Sequence, residues 1–318
     1  MIKHGLLICS FQLKRKYSKK EEDYYLLNQT YENDEHTYTN VIEMFECFIK
    51  SYTKYDDNEK NMKMFAIDES SVIKKCNKNA WIINGKILCG SYGIESEMTN
   101  KDTKEVVYTR KKEDADIKPF HFIVYVPKDK DEGKVNKGLL LFEMVGAYGV
   151  KTITTNYMRK YFSDEIGLTM EIKSVSVRVF IEKMFEKSTL NRITFIRNKV
   201  SNDYSDNIFY NVGREEKTYY KPRLKEEWKN KIIDFFDRSK DESEVFEIEN
   251  EGIEDIKLNF TRDGRTISIR VKDTERFSII EDIPDKIIED TRNDKRVLLE
   301  YMIKTAESYI ERMVYTKQ

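Results

Sequence analysis

Two dense apolar runs, Phe120–Val126 (FHFIVYV) and Gly138–Val145 (GLLLFEMV), constrain this chain more than any other feature. Neither run alternates polar with apolar residues, so a strand built from either must be covered on both faces. Pro127 closes the first run, and a charged loop from Lys128 to Lys137 leads into the second, which makes them neighbouring strands. Covering them requires amphipathic helices, and the 3.6-residue periodicity is present. Val41, Ile42, Phe45, Phe48, Ile49 and Tyr52 recur at helical spacing, as do Val177, Phe180, Ile181, Met184 and Phe185. Two further helices carry Val150, Ile153, Tyr157 and Tyr161, and Trp228, Ile232, Phe235 and Phe236.

Strand patterns surround these helices. Gly5 to Lys14 reads as a first strand, and the polar stretch from Lys16 to Asn40 as a solvated loop. Met62–Lys74, Trp81–Ile83, Lys86–Ser91 and Glu105–Tyr108 read as short strands, and Leu190–Arg197 as another. The Asn84-Gly85 pair predicts a hairpin turn, because both central turn positions need positive φ. Asn100-Lys101-Asp102 predicts a second turn, and Asp263-Gly264 a third, joining Ile256–Thr261 to Thr266–Val271. The chain ends in a helix over Asn293–Tyr315 with adjacent stripes Leu298/Met302/Ala306/Tyr309/Met313 and Leu299/Ile303/Ile310/Val314. Such a wide face serves either core packing or a homodimer seam. The expected class is α+β: mixed β-sheets with flanking amphipathic helices and a long C-terminal helix. Three segments follow from the pattern: a β-rich 1–115 with one helix, a locally basic α/β 116–212, and 213–318 with a helix, a hairpin and the long helix. The turn-rich stretch Ser201–Gly213 marks the second boundary.

Composition narrows the class. Charged residues make up 36% of 318 and the mean hydropathy is -0.68, which excludes an integral membrane protein, while 17 Phe and 20 Tyr supply the apolar area that a disordered chain lacks. Cys9, Cys47, Cys76 and Cys89 form no CxxC pair, and His4, His36 and His121 lie far apart, so no zinc spacing exists and no cofactor motif stands out. The expectation is reduced cysteines and a cytoplasmic protein. The run Leu6–Cys9 is too short for a signal-peptide core.

Few residues invite chemistry. Gly146-Ala147-Tyr148-Gly149, followed by Lys151 and Thr152, is either a tight strand-to-helix turn or a backbone contact for an anion. Its spacing is not that of a P-loop. Residues 151–200 hold ten Lys and Arg against five Asp and Glu, a surplus of five in a chain whose net charge is -1. Concentrated positive charge holds polyanions through counterion release, and Lys151, Arg159, Lys160, Arg178, Arg192, Arg197 and Lys199 are the candidate contacts. Tyr148, Tyr157 and Tyr161 are interleaved with them, available for base stacking or for the core. Asp203 and Asp206, three residues apart, offer a weak Mg²⁺ site for phosphodiester hydrolysis. His121, inside an apolar strand, reads as a satisfied core residue.

The layout resembles the RexA-type phage-exclusion proteins and related bacterial antiphage proteins. The likeness runs through the opening strand Leu6–Gln12, the following helix, the Asn84-Gly85 hairpin, the stretch Ala115-Asp116-Ile117-Lys118-Pro119-Phe120-His121-Phe122 leading into paired apolar strands, the glycine turn, the strand with Arg192 and Arg197, and the closing hairpin-plus-helix unit Ile256–Met313. It covers most of the chain and transfers no catalytic motif. It implies DNA binding, a homodimer and a role in abortive infection. The expected function is thus a non-enzymatic nucleic-acid-binding protein of antiphage defence or phage exclusion that contacts mainly phosphates, with DNA the first partner. The alternatives are a metal-dependent nuclease or toxin-like effector using Asp203 and Asp206, and an interaction subunit that meets a phage or defence protein through the acidic region Asp237–Asp255.

Overall fold

In the computed structural model the two apolar runs lie side by side, Leu139–Phe142 pairing antiparallel with Tyr125–Phe122 near the middle of the largest sheet. The structure describes residues 3–16, 24–33, 36–128, 135–175, 177–197, 215–237, 246–248, 251–253, 255–262, 265–270 and 279–315. The chain divides into two compact units, Met1–Lys173 with Ser278–Glu311, and Ser174–Phe277 with Arg312–Gln318. The class is α+β, as expected.

The first unit opens with β1 (His4–Arg15), the two-residue strands β2 (Tyr31–Glu32) and β3 (Thr37–Tyr38), and helix α1 (Val41–Ser51). It continues through β4 (Asp56–Asn58), β5 (Lys63–Cys76), β6 (Ala80–Ser91), the hairpin β7 (Ser96–Thr99) and β8 (Val106–Arg110), β9 (Asp116–Pro127), β10 (Gly138–Val145), β11 (Tyr148–Gly149), α2 (Lys151–Tyr161) and β12 (Leu168–Ser174). The main sheet runs β12-β1-β10-β9-β6-β5-β4. One of its faces presents Leu7, Phe11, Leu140, Phe142, Phe122, Val124, Ile83 and Phe65, and the helices close over it. Asn40 caps α1 by accepting from the Ile42 amide, while the Glu43 carboxylate accepts from the Thr39 amide and hydroxyl. The helix then buries Val41, Met44, Phe45, Phe48 and Ile49. Aromatic rings lock the layers: Phe11 meets Phe45 edge-on at 5.3 Å, Phe45 meets Phe162 at 5.2 Å, and Phe65 stacks on Tyr157 at 4.5 Å. Burying each such side chain contributes about 1.5–3 kcal/mol.

Both faces are covered, as the unbroken apolar pattern requires, for Leu6, Ile8, Leu139, Leu141 and Ile123 are also buried.

The second unit contains α3 (Val177–Lys187), β13 (Thr189–Arg197), β14 (Glu215–Tyr220), α4 (Glu226–Asp237), β15 (Phe246–Ile248), β16 (Glu251–Ile253), β17 (Asp255–Arg262) and β18 (Arg265–Arg270). Its main sheet runs β14-β13-β17-β18. The chain then returns to the first unit through β19 (Ile279–Asp282), which pairs with β1 over Gly5–Ile8, followed by α5 (Asp285–Asn293) and α6 (Arg296–Tyr315). Along α6, Leu298, Met302, Ala306 and Tyr309 are buried within the single chain, and the Tyr309 hydroxyl donates to Glu281 of β19 at 2.6 Å. These four positions are core packing. Among the described residues, no helix is long and apolar enough to cross a membrane.

Several expectations are corrected. Asn84-Gly85 makes no hairpin: it lies in the middle of β6, with Asn84 opposite Ile123 and Gly85 opposite Phe122. A Cβ at Gly85 would sit 3.0 Å from the Phe122 ring and 3.1 Å from Val72, so the glycine serves close packing and not positive φ. The turn falls instead at Asn77–Asn79, where the Asn77 side chain accepts from the Asn79 and Ala80 amides. Asn100 does make its expected turn, accepting from the amides of Asp102 and Thr103. Gly146, at φ 61, turns β10 back onto β11 as a hairpin before α2 begins. The stretch 16–40 is not wholly solvated, since Leu27 and Tyr38 are buried. The three-segment division does not survive either. Its boundary after 115 falls where β9 pairs with β6 from Ala80–Pro127 to Ser91–Asp116, and β19 carries the C-terminal segment back to β1. Asp263-Gly264 and all of Ser201–Gly213 lie outside the described residues.

Candidate nucleic-acid interface

The seven cations expected to form one patch belong to two units. Lys151, Arg159 and Lys160 lie in the first unit, and Arg178, Arg192, Arg197 and Lys199 in the second. Arg159 and Lys160 are exposed on α2. Arg197 is paired with Glu215 across β13 and β14. Lys199 and the side chain of Arg178 lie outside the described residues. Two other cations of the basic segment are also unavailable: Lys183 is only 5% exposed, and Lys173 is paired with Glu171 at 3.0 Å. Tyr157 belongs to the core and Tyr161 packs edge-on against Phe48, while Tyr148 is exposed. Asp203 and Asp206 are outside the described residues, among which no group of His, Cys, Asp and Glu could hold a metal ion.

Arg192 is different, and the sheet of the second unit explains why. Strand alternation divides that sheet into two faces. Ile193, Phe195, Ile256, Leu258, Phe260 and Ile269 are buried, with Phe260 meeting Phe185 of α3 edge-on at 5.2 Å. The opposite face is polar and exposed at the end that carries Arg192 and Tyr220, whereas Thr194, Ile196 and Asp255 further along it are buried. Register places Tyr220, Arg192, Asn259 and Ser268 side by side on β14, β13, β17 and β18. At about 4.8 Å between strands this row is ~14 Å long. Arg192 and Ser268 are exposed and Asn259 is half-buried. The next row holds Thr218 and Thr194, whose hydroxyl oxygens are 3.0 Å apart, and then Lys257, which is exposed. Arg270 is excluded from this surface chemistry because it pairs at 2.5 Å with the fully buried Asp255.

The Arg192 guanidinium lies over the Tyr220 ring, 4.8 Å from its centroid, and Tyr220 is 69% exposed. Arginine on one face of a tyrosine orders both side chains at the edge strand of the sheet. Tyr219 points the other way and leans on Phe195, yet remains 38% exposed. The Lys221 amide donates to the Asn191 carbonyl, which places Lys221 at the same end of the sheet, and Arg223 follows within about 7 Å of chain. Arg192, Lys221, Arg223 and Lys257 have no acidic partner among the described residues. The acids of β14, Glu215 and Glu216, lie at its far end, at least ~14 Å from Tyr220. Sequence reasoning identified Arg192 and missed the rest, because the basic window stopped at 200. The signal was legible in Lys217-Thr218-Tyr219-Tyr220-Lys221-Pro222-Arg223, where cations alternate with aromatic residues.

A second polar cluster sits in the first unit. Glu143, 4% exposed, accepts from Nδ1 of His121 at 2.7 Å, from the His121 amide at 3.1 Å and from Nδ1 of His4 at 2.9 Å. A carboxylate only accepts, so both imidazoles carry a proton on Nδ1. Burial pushes the Glu143 pKa up, but the bonds from His121 and His4 outweigh it and leave the pKa below the ordinary carboxylate value. His121 is therefore satisfied, as expected, though half-buried and not in the core proper. The cluster ties β1, β10 and β9 together.

Comparison with protein-family models and with curated proteins finds no match.

Proposed function

We propose that this protein binds nucleic acid without cleaving it, and that binding is centred on the exposed end of the second unit's sheet that carries Arg192 and Tyr220. The observation that carries this reading is Tyr220, held outward under Arg192, with Lys221, Arg223 and Lys257 on the same sheet or just after it and, among the described residues, no acid paired to them. Cations of this kind release counterions from a phosphate backbone even in a chain of net charge -1. They position a backbone and read no base edges, so discrimination between sequences is weak. The layout resemblance to phage-exclusion proteins supports antiphage defence in the cytoplasm as the setting. Fluorescence anisotropy with labelled oligonucleotides tests the reading. Arg192→Glu combined with Lys221→Glu should weaken binding alike for unrelated sequences, while Arg159→Glu with Lys160→Glu on α2 should change it little. Equal affinity of the Arg192/Lys221 variant and the wild type would count against the site.

A second reading, an interaction subunit, is favoured by the β7–β8 hairpin. Among the described residues it pairs with no other strand, and it exposes Met98, Val106, Val107 and Tyr108, with Ile94 exposed just before it. Adjacent apolar side chains on an isolated hairpin suit a protein partner or a second copy. Sedimentation velocity of the wild type and of Met98→Ser with Val107→Ser checks it. A monomer in both, with no change in partners recovered from infected cells, would remove this reading.

A further inference from the structure

We infer that the nucleic acid taken by this surface is single-stranded, with an unpaired base stacked on the outward face of Tyr220 and the flanking phosphates held by Arg192 and Lys221. The inference rests on the nucleic-acid reading above and adds the class of strand. Tyr220 has two ring faces. One is covered by the Arg192 guanidinium at 4.8 Å, and among the described residues no other ring contacts Tyr220. A tyrosine left 69% exposed on an edge strand leaves its second face to solvent and offers flat apolar area to a ligand. The complementary group is another π-face.

Bases in a duplex have their faces covered by neighbouring pairs, so only an unpaired base can stack there. The surroundings agree. Tyr220, Arg192, Asn259 and Ser268 form a level row across four strands, and α3 packs behind it on the opposite face. Duplex readers insert a helix or a narrow ribbon into a groove, whereas an exposed aromatic ring standing on a sheet stacks splayed bases. Arg192 performs two tasks here, stacking its plane on the tyrosine and meeting phosphate through the free edge of its fork.

The test uses the full chain and three labelled probes of one sequence, about 12 nucleotides long: single-stranded DNA, single-stranded RNA and the DNA duplex. Anisotropy titrations should show at least ~5-fold tighter binding of a single strand than of the duplex, the lower bound for one added base stack. The stronger of the two single strands identifies the sugar preferred. Tyr220→Ala should weaken single-strand binding by about 5- to 150-fold and leave duplex binding within ~2-fold, while Tyr220→Phe, which keeps the ring, should bind as wild type. Circular dichroism of Tyr220→Ala checks that this exposed edge position leaves the fold intact. Duplex binding as tight as single-strand binding, or a Tyr220→Ala loss equal on both, overturns the inference while leaving the nucleic-acid reading in place. Binding to none of the three probes overturns both.

Discussion

Replacing Glu143 should destabilise the first unit more than any other single polar change, and the structure sets the size. The carboxylate is 4% exposed and accepts three bonds, at 2.7, 2.9 and 3.1 Å, from His121 Nδ1, His4 Nδ1 and the His121 amide. Glu143→Ala leaves a buried amide and two imidazole donors unpaired and opens a small cavity. Hydrogen bonds to a charged acceptor contribute about 1.5–3 kcal/mol each, and because the His4 and His121 side chains keep 20% and 31% exposure and can turn to water, the total loss is about 3 kcal/mol. At roughly 2–4 °C per kcal/mol for a unit of this size, Tm falls by about 6–12 °C. Glu143→Gln preserves shape and an acceptor oxygen, so it should cost only about 1–2 kcal/mol. Linkage adds a pH signature. The folded pKa of Glu143 is lowered from its ordinary value of 4.5, so the unfolded chain takes up the proton first as pH falls. The contribution is therefore complete above pH 4.5 and disappears as pH drops through the folded value. Calorimetry of the three proteins should show the gap between wild type and Glu143→Gln closing below pH 4.5. A Glu143→Ala protein within about 0.5 kcal/mol of wild type at pH 7 would refute the reasoning.

Further outcomes follow from other parts of the fold. At Gly138 an added Cβ would lie 2.4 Å from the ring of the buried Phe11, so Gly138→Ala should cost about 1–3 kcal/mol in urea unfolding, and a neutral substitution would show that the ring moves freely. Glu171 accepts from Lys14, Tyr24 and Lys173; burial raises its pKa, but those bonds prevail and hold it down to about 2. Its contribution should be intact above pH 4.5 and lost towards pH 2, so an acid unfolding limb unchanged in Glu171→Gln would contradict the contacts drawn for it.

Much of the fold was legible because its strongest signals were long. The runs at 120–126 and 138–145 demanded cover on both faces, and the helical stripe from Val41 to Tyr52 had the aromatic residues to provide it on one. Asn84-Gly85 misled because a dipeptide cannot reveal its cross-strand partners. The glycine answers to Phe122, 37 residues away in β9. Leu27 and Tyr38 were missed because isolated apolar residues carry no period. The basic segment is less simple than its charge count for a similar reason. A sequence window counts charge without knowing that the units divide at Lys173, that Lys183 is buried, or that Arg197 has Glu215 beside it. Arg192 escaped those fates because its register neighbour is Tyr220.

The central claim is that Arg192, Lys221, Arg223 and Lys257 engage phosphates, and the salt dependence of oligonucleotide affinity measures that directly. Four contacts to a single strand give a slope of log affinity against log salt of roughly -2.8, and reversing Arg192 and Lys221 should reduce it to about -1.4 or less. A wild-type slope near zero, or a slope that those reversals leave unchanged, would contradict the account.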